Sequence, residues 1–169
     1  LQAPNVRVFD DGGATVLVVA RDSVYEAVGG DAAFLALSEA LHRRCLEDPV
    51  LNHPFSHALD PAHDEHLAAY LGEVFGGPAT YTAALGGESA MLARHAGTGA
   101  DEDFPARFVA CFDAAVVDVG LGERPEVARV LHDYMVWAAG EVQAVSPLGT
   151  RVADGLGVPR WSWDGLVEG

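Results

Sequence analysis

The chain has 169 residues, half of them apolar, which suits one domain with a substantial core that needs no disulfides to fold. Its 25 acidic residues against 10 Lys+Arg give a formal net charge of −15 with no basic block, so nucleic acid and anionic membranes are excluded as partners. The longest apolar run, Ala14 to Ala20, is too short to span a bilayer, and no charged leader with a cleavage pattern precedes it.

The chain opens with Val6-Arg7-Val8-Phe9, the turn residues Asp10-Asp11-Gly12-Gly13, and Thr15-Val16-Leu17-Val18-Val19, which together predict a β-hairpin. A lone hairpin is marginal in water, so residues 1–22 are expected to dock on the body or to pair with a second copy in a homodimer, with disorder as the competing reading. Ser23-Val24-Tyr25-Glu26 has capping-box spacing and predicts a short helix closed by Gly29-Gly30. Asp31 then caps a longer helix with Phe34, Leu37, Leu41 and Cys45 on one stripe, ended by Asp48-Pro49. Asn52 to Asp60, with Pro54, reads as a corner.

From Pro61 to Phe75, the residues His63, Leu67, Tyr70, Leu71 and Val74 share one face at helical spacing, so a histidine heads an apolar stripe. Gly76-Gly77-Pro78 ends that helix. A short irregular run leads on to Met91, Leu92, Arg94 and His95, which would let two imidazoles face one another. Asp103 with Pro105 starts a helix bearing Phe104, Phe108, Cys111, Phe112 and Ala115, stopped near Gly120. A last helix from about Pro125 shows Val127, Val130, Leu131, Tyr134 and Ala138. Beyond Ser146-Pro147 the chain, residues 146–169, turns irregular, yet Trp161 and Trp163 need a surface to lie on. Cys45 and Cys111 both fall on apolar stripes and read as buried thiols of a reducing cytoplasm rather than a structural bridge.

The ordered set Tyr25-Glu26-Ala27-Val28-Gly29-Gly30, Asp48-Pro49-Val50-Leu51, Phe75-Gly76-Gly77-Pro78-Ala79-Thr80-Tyr81 and Ala93-Arg94-His95-Ala96 resembles the group II truncated haemoglobins. The likeness covers roughly Ser23 to Ala139, counted by motif order and helix starts. It implies an all-α, truncated globin-like two-over-two helical sandwich over residues 23–145, carrying one haem b, with the N-terminal hairpin and C-terminal tail added. It also implies roles residue by residue. His95 would be the proximal iron ligand, its other ring nitrogen held by a backbone carbonyl. His63 and Leu67 would lie over the distal face with His42 beside them, and Phe55 and Phe108 would pack on the haem. His66, Arg94 and Tyr81 would meet its propionates. A solvent-facing position is the competing reading for His42, His66 and Arg94.

This chain departs from the family pattern where group II members usually carry tyrosine at the position of His42, an aromatic hydroxyl at that of Phe55 and tryptophan at that of Phe108. Imidazoles are then the remaining distal donors, with His63 and His42 as the catalytic pair, and ligand affinity should depend on pH. His63 could instead bind the iron directly. The resemblance implies binding of dioxygen and other diatomic ligands, with redox turnover such as nitric-oxide dioxygenation or peroxide reduction. Two alternatives stand beside it: a haem oxidoreductase acting on an organic substrate with distal histidines as acid and base, and a non-catalytic haem sensor. A roomy pocket lined by Phe55, Phe108 and the tail tryptophans would favour the organic substrate. Nothing in the sequence names the electron donor. A rival zinc site among His53, His57, His63 and His66 with Asp60 and Asp64 is disfavoured by Pro54 and Pro61, which break the helices needed to present it.

Overall fold

The computed structural model describes residues 6–10, 15–19, 21–57, 60–99 and 101–167. Strands β1 (Val6–Asp10) and β2 (Thr15–Val19) pair antiparallel, with Val6 opposite Val19 and Asp10 opposite Thr15, so the predicted hairpin forms. Its expected docking concerns side chains outside the described residues.

Helix α1 (Val24–Val28) starts on a complete capping box: the Ser23 hydroxyl accepts from the Glu26 amide, and the Glu26 carboxylate accepts from the Ser23 amide. Gly29, at φ 115°, closes it in the left-handed region. Helix α2 (Asp31–Glu47) buries Phe34, Leu37, Leu41 and Cys45 as the stripe predicts. Asp31 does not cap it. Gly30 holds that position without a side-chain bond, and the Asp31 carboxylate instead accepts from the Tyr25 hydroxyl at 2.8 Å. The helix stops at Asp48, which is extended at ψ 128° because a residue before proline is pushed out of the helical region.

The predicted corner after Pro49 is in fact helix α3 (Asn52–His57). Pro54 lies in its first turn, where a missing amide costs nothing, and the Asp48 carboxylate takes the orphan amides of Val50 (2.8 Å) and Leu51 (3.0 Å). Helix α4 (His63–Val74) buries Tyr70, Leu71 and Val74, with Leu67 half-buried on the same face. A Cβ on Gly77 would lie 2.7 Å from both the Gly72 carbonyl oxygen and the Tyr25 ring, so only glycine lets the chain turn beneath α1. The run that sequence reads as irregular contains helix α5 (Thr80–Leu85), which Gly86, at φ 92°, separates from α6 (Gly87–His95).

Helix α7 (Phe104–Asp118) and helix α8 (Pro125–Val145), joined by a 3-10 turn at Leu121–Glu123, complete the body. Helix α2 packs most extensively on α4 and α7, and α7 on α8, giving the two-over-two helical sandwich. Phe34, Phe75, Phe112, Leu131 and Tyr134 fill its centre. Each fully buried side chain of this size contributes roughly 1.5–3 kcal/mol by leaving water. Cys45 and Cys111 are free thiols that touch across the α2–α7 contact, and burial pushes both upward in pKa. Among the described residues no helix is long and apolar enough to cross a membrane.

The tail is ordered rather than loose. Strands β3 (Trp161–Ser162) and β4 (Gly165–Leu166) form a small hairpin that buries both tryptophans. Trp161 packs on Tyr134 and Trp137, at centroid distances of 5.5 and 5.6 Å. The Trp163 indole donates to the Asp22 carbonyl at 2.8 Å while the Arg21 guanidinium sits 3.7 Å over its ring. Arg160 donates to the Glu73 carbonyl (2.8 Å), and the Leu156 carbonyl accepts from the Glu88 amide (3.2 Å), so the tail fastens the end of α4 and the start of α6.

Candidate functional site

Four helices converge one side chain each. His42 from α2, Phe55 from α3, His63 from α4 and Phe108 from α7 form a single cluster. His42 and His63 lie 5.8 Å apart edge to face, Phe55 lies 6.1 Å from His42 and 6.0 Å from His63, and Phe55 stacks on Phe108 at 6.1 Å. The helical offset of His63 from Leu67 puts the imidazole on the inward face, and the close packing of α2 on α4 brings His42 to it.

Asp64 joins them. Its Oδ1 lies 3.0 Å from His42 Nδ1 and 3.2 Å from His63 Nδ1, and all three side chains are only partly exposed. A carboxylate only accepts, so each neutral ring spends its one N–H, at Nδ1, on Asp64 and keeps a bare lone pair at Nε2. The sequence reading gave His63 an N–H for the pocket. This geometry supplies one at Nε2 only when the ring is protonated.

His95 ends α6. Its Nδ1 lies 3.0 Å from the Met91 carbonyl oxygen one turn earlier, an acceptor that fixes the hydrogen on Nδ1 and frees Nε2. Burial among surrounding atoms is the largest cause holding its pKa below the usual histidine range, and the charges of His63 and Arg94 add to it. Some of the residue's own surface is nonetheless exposed, so this burial comes from the atoms crowded around the ring and not from enclosure in the core. An imidazole of lowered pKa, its Nδ1 engaged by Met91, therefore stands within electrostatic reach of His63.

The other predicted residues spread around this centre. Tyr81 is buried against Tyr70 at 5.0 Å, near enough to Arg94 to feel its charge, while Arg94 itself is exposed. His66 points toward Asp60, its Nδ1 3.6 Å from the carboxylate, too long for a hydrogen bond, and among the described residues that buried atom has no hydrogen-bond partner. Of the rival zinc set, His63 goes with Asp64 and His66 with Asp60, while the side chain of His57 lies outside the described residues. Two shallow surface clefts, one bordered by Asp103 and Arg107 and one by Asp31 and Glu65, lie apart from the histidines.

Sequence reasoning missed three features. Asp64 stood out only as an acidic neighbour of several histidines. The backbone carbonyl expected to hold His95 was left unnamed, although the i−4 spacing points to Met91. A buried polar cluster was invisible: the Tyr70 hydroxyl donates to Glu88 at 2.6 Å beside Tyr134, with Glu88 raised in pKa first by burial.

The sequence model of the bacterial-like globins matches residues 23–138. The thermostable hemoglobin of the actinobacterium Thermobifida fusca is 31% identical with a TM-score of 0.58, over 72% of this chain and 96% of that one. The hemoglobin of the thermophilic phototrophic bacterium Chloroflexus aurantiacus is 29% identical with a TM-score of 0.62, over 75% and 98%. The group II truncated hemoglobin of Bacillus anthracis, 19% identical, shares the fold with a TM-score of 0.65, over 80% and 98%. Among curated proteins none matches.

Proposed function

Since the chain belongs to the bacterial-like globin family, we propose that it binds haem b through His95 and holds dioxygen or another small diatomic ligand beside His63 and His42. The observation that carries this reading is the His95 ring, with Nδ1 held by the Met91 carbonyl, which leaves the Nε2 lone pair for a metal, and with its pKa lowered chiefly by burial. That is the donor an iron porphyrin needs. The aromatic pair Phe55 and Phe108 fits the same group, offering a flat ring an apolar wall. Haem, when bound, supplies an iron that takes a diatomic ligand and exchanges single electrons.

The chain's residues do the rest. Phe55 and Phe108 exclude water from the distal side. His63 and His42 present Nε2, as a lone pair when neutral and as an N–H donor when protonated, and Asp64 steadies both states from behind. Redox turnover, such as nitric-oxide dioxygenation or peroxide reduction, would draw protons from these two Nε2 positions and electrons from a separate donor. Tyr81, Arg94, His66 and Leu67 would line the rim of the group. The tail tryptophans pack on Tyr134, Trp137 and Asp22 instead of lining a substrate pocket, which favours a diatomic ligand over an organic one.

Absorption spectra of the purified protein, ferric and ferrous, with and without carbon monoxide, test this. We expect one haem per chain and a carbon monoxide complex of the ferrous protein. A protein that takes up no haem when supplied with it overturns the reading.

A further inference from the structure

We propose that His42 Nδ1, His63 Nδ1 and the Asp64 carboxylate form a site for one divalent transition-metal cation, Zn²⁺ by preference, distinct from the haem. One donor atom from each lies within 4.8 Å of the other two, and among the described residues no other three His, Cys, Asp or Glu groups converge this way. The Nδ1 to Oδ1 separations, 3.0 and 3.2 Å, match the ~3.0–3.4 Å edges between neighbouring ligands on a metal with bonds of about 2.1 Å. Two imidazoles and a carboxylate are a borderline-soft donor set that suits Zn²⁺ and leaves coordination positions open.

Access and charge agree with this. The three side chains are 25–29% exposed, so a hydrated ion can reach them and water can complete its shell. Glu65 lies beside Asp64 in the first turn of α4, and the chain carries a net charge of −15, both of which draw cations. The two helices that carry the donors, α2 and α4, pack tightly together, so the site is held without ordering a loop.

One consequence rests on the haem reading. A metal on Nδ1 displaces the hydrogen that each neutral ring shares with Asp64. Solvent returns a proton to Nε2, so each ring changes tautomer with no net proton released. Both distal imidazoles would then turn N–H groups toward the pocket in place of lone pairs.

Calorimetric titration of the chelator-treated protein with zinc chloride reads the site, and nitrogen NMR of the imidazoles in the ferrous carbon monoxide complex reads the tautomer. One Zn²⁺ per chain is expected. His42→Gln and Asp64→Asn should each weaken it tenfold or more. His132→Gln, at the two-residue pair His132–Asp113, should leave it unchanged. Thermal melts of the variants confirm that they fold. Absence of stoichiometric binding, or binding that survives both His42→Gln and Asp64→Asn, overturns the proposal. The isotherm reads the site whether or not haem is bound, so failure of the haem reading shows separately, in the absorption spectrum.

Discussion

Trp161→Ala asks whether the tail belongs to the folded core. Trp161 is 9% exposed and packs on Tyr134 and Trp137. Truncating such a side chain costs about 3–5 kcal/mol when the gap cannot close. The two-residue strands around it can settle into part of the gap, so the lower end, about 3 kcal/mol, is expected. In a chain of this size each kcal/mol moves Tm by about 2–4 °C, which gives a fall of about 6–12 °C by far-ultraviolet circular dichroism. Leu148→Ala, at a position 84% exposed, should leave Tm within about 1 °C. Amide exchange at Glu88, whose N–H bonds the Leu156 carbonyl, should also speed up, because the tail holds the start of α6. A fall in Tm below about 2 °C, with unchanged exchange at Glu88, would refute the claim that the tail is a fastened part of the fold.

Three further outcomes follow from the packing and the polar contacts. Gly77→Ala should lower stability by about 1–3 kcal/mol in chemical denaturation, because the added Cβ meets backbone and ring at 2.7 Å; an unchanged midpoint would mean the turn is not so tight. Burial raises the folded-state pKa of Glu88 above its unfolded value, so the folded state binds the proton more tightly and stability falls as pH rises from the unfolded pKa through the folded one. Glu88→Gln should therefore be the more stable form at neutral pH, with the advantage fading in acid; an advantage independent of pH would contradict this. His63→Leu and His42→Leu should each change carbon monoxide kinetics, tenfold for each 1.4 kcal/mol of lost interaction. Because both rings share Asp64, the double variant should be non-additive, and strict additivity would separate them.

The helices were legible where apolar spacing was regular: the apolar residues the periodicity picked out on α2, α4, α7 and α8 lie in the core or pack against it, with Leu67, Phe104, Phe108, Cys111 and Ala138 only half-buried. Segments too short for a period were not. Asn52–His57 and Thr80–Leu85 hold too few turns to show one, and Pro54 and Pro78 suggested loops where one marks a first turn and the other a helix approach. The tail order was half visible, since two tryptophans announce a surface without naming Tyr134 and Trp137 as its floor. At the site, the positions of His42, Phe55, His63 and Phe108 followed from the family resemblance, and the structure gathers them into one cluster. The role of Asp64 did not follow, because a carboxylate next to a histidine in sequence gains meaning only when a second helix brings His42 to it.

The central claim is that His95 Nε2 holds the haem, and imidazole rescue of His95→Gly tests it most directly. The glycine variant removes the ligand and leaves a space the size of the ring, while Met91 and the α6 backbone stay in place. Titrated with haemin, the unaltered protein should take up one equivalent and show a histidine-ligated spectrum. The variant should bind haem weakly or not at all until imidazole is added, and then recover that spectrum. A variant that keeps the unaltered spectrum without imidazole would contradict the account.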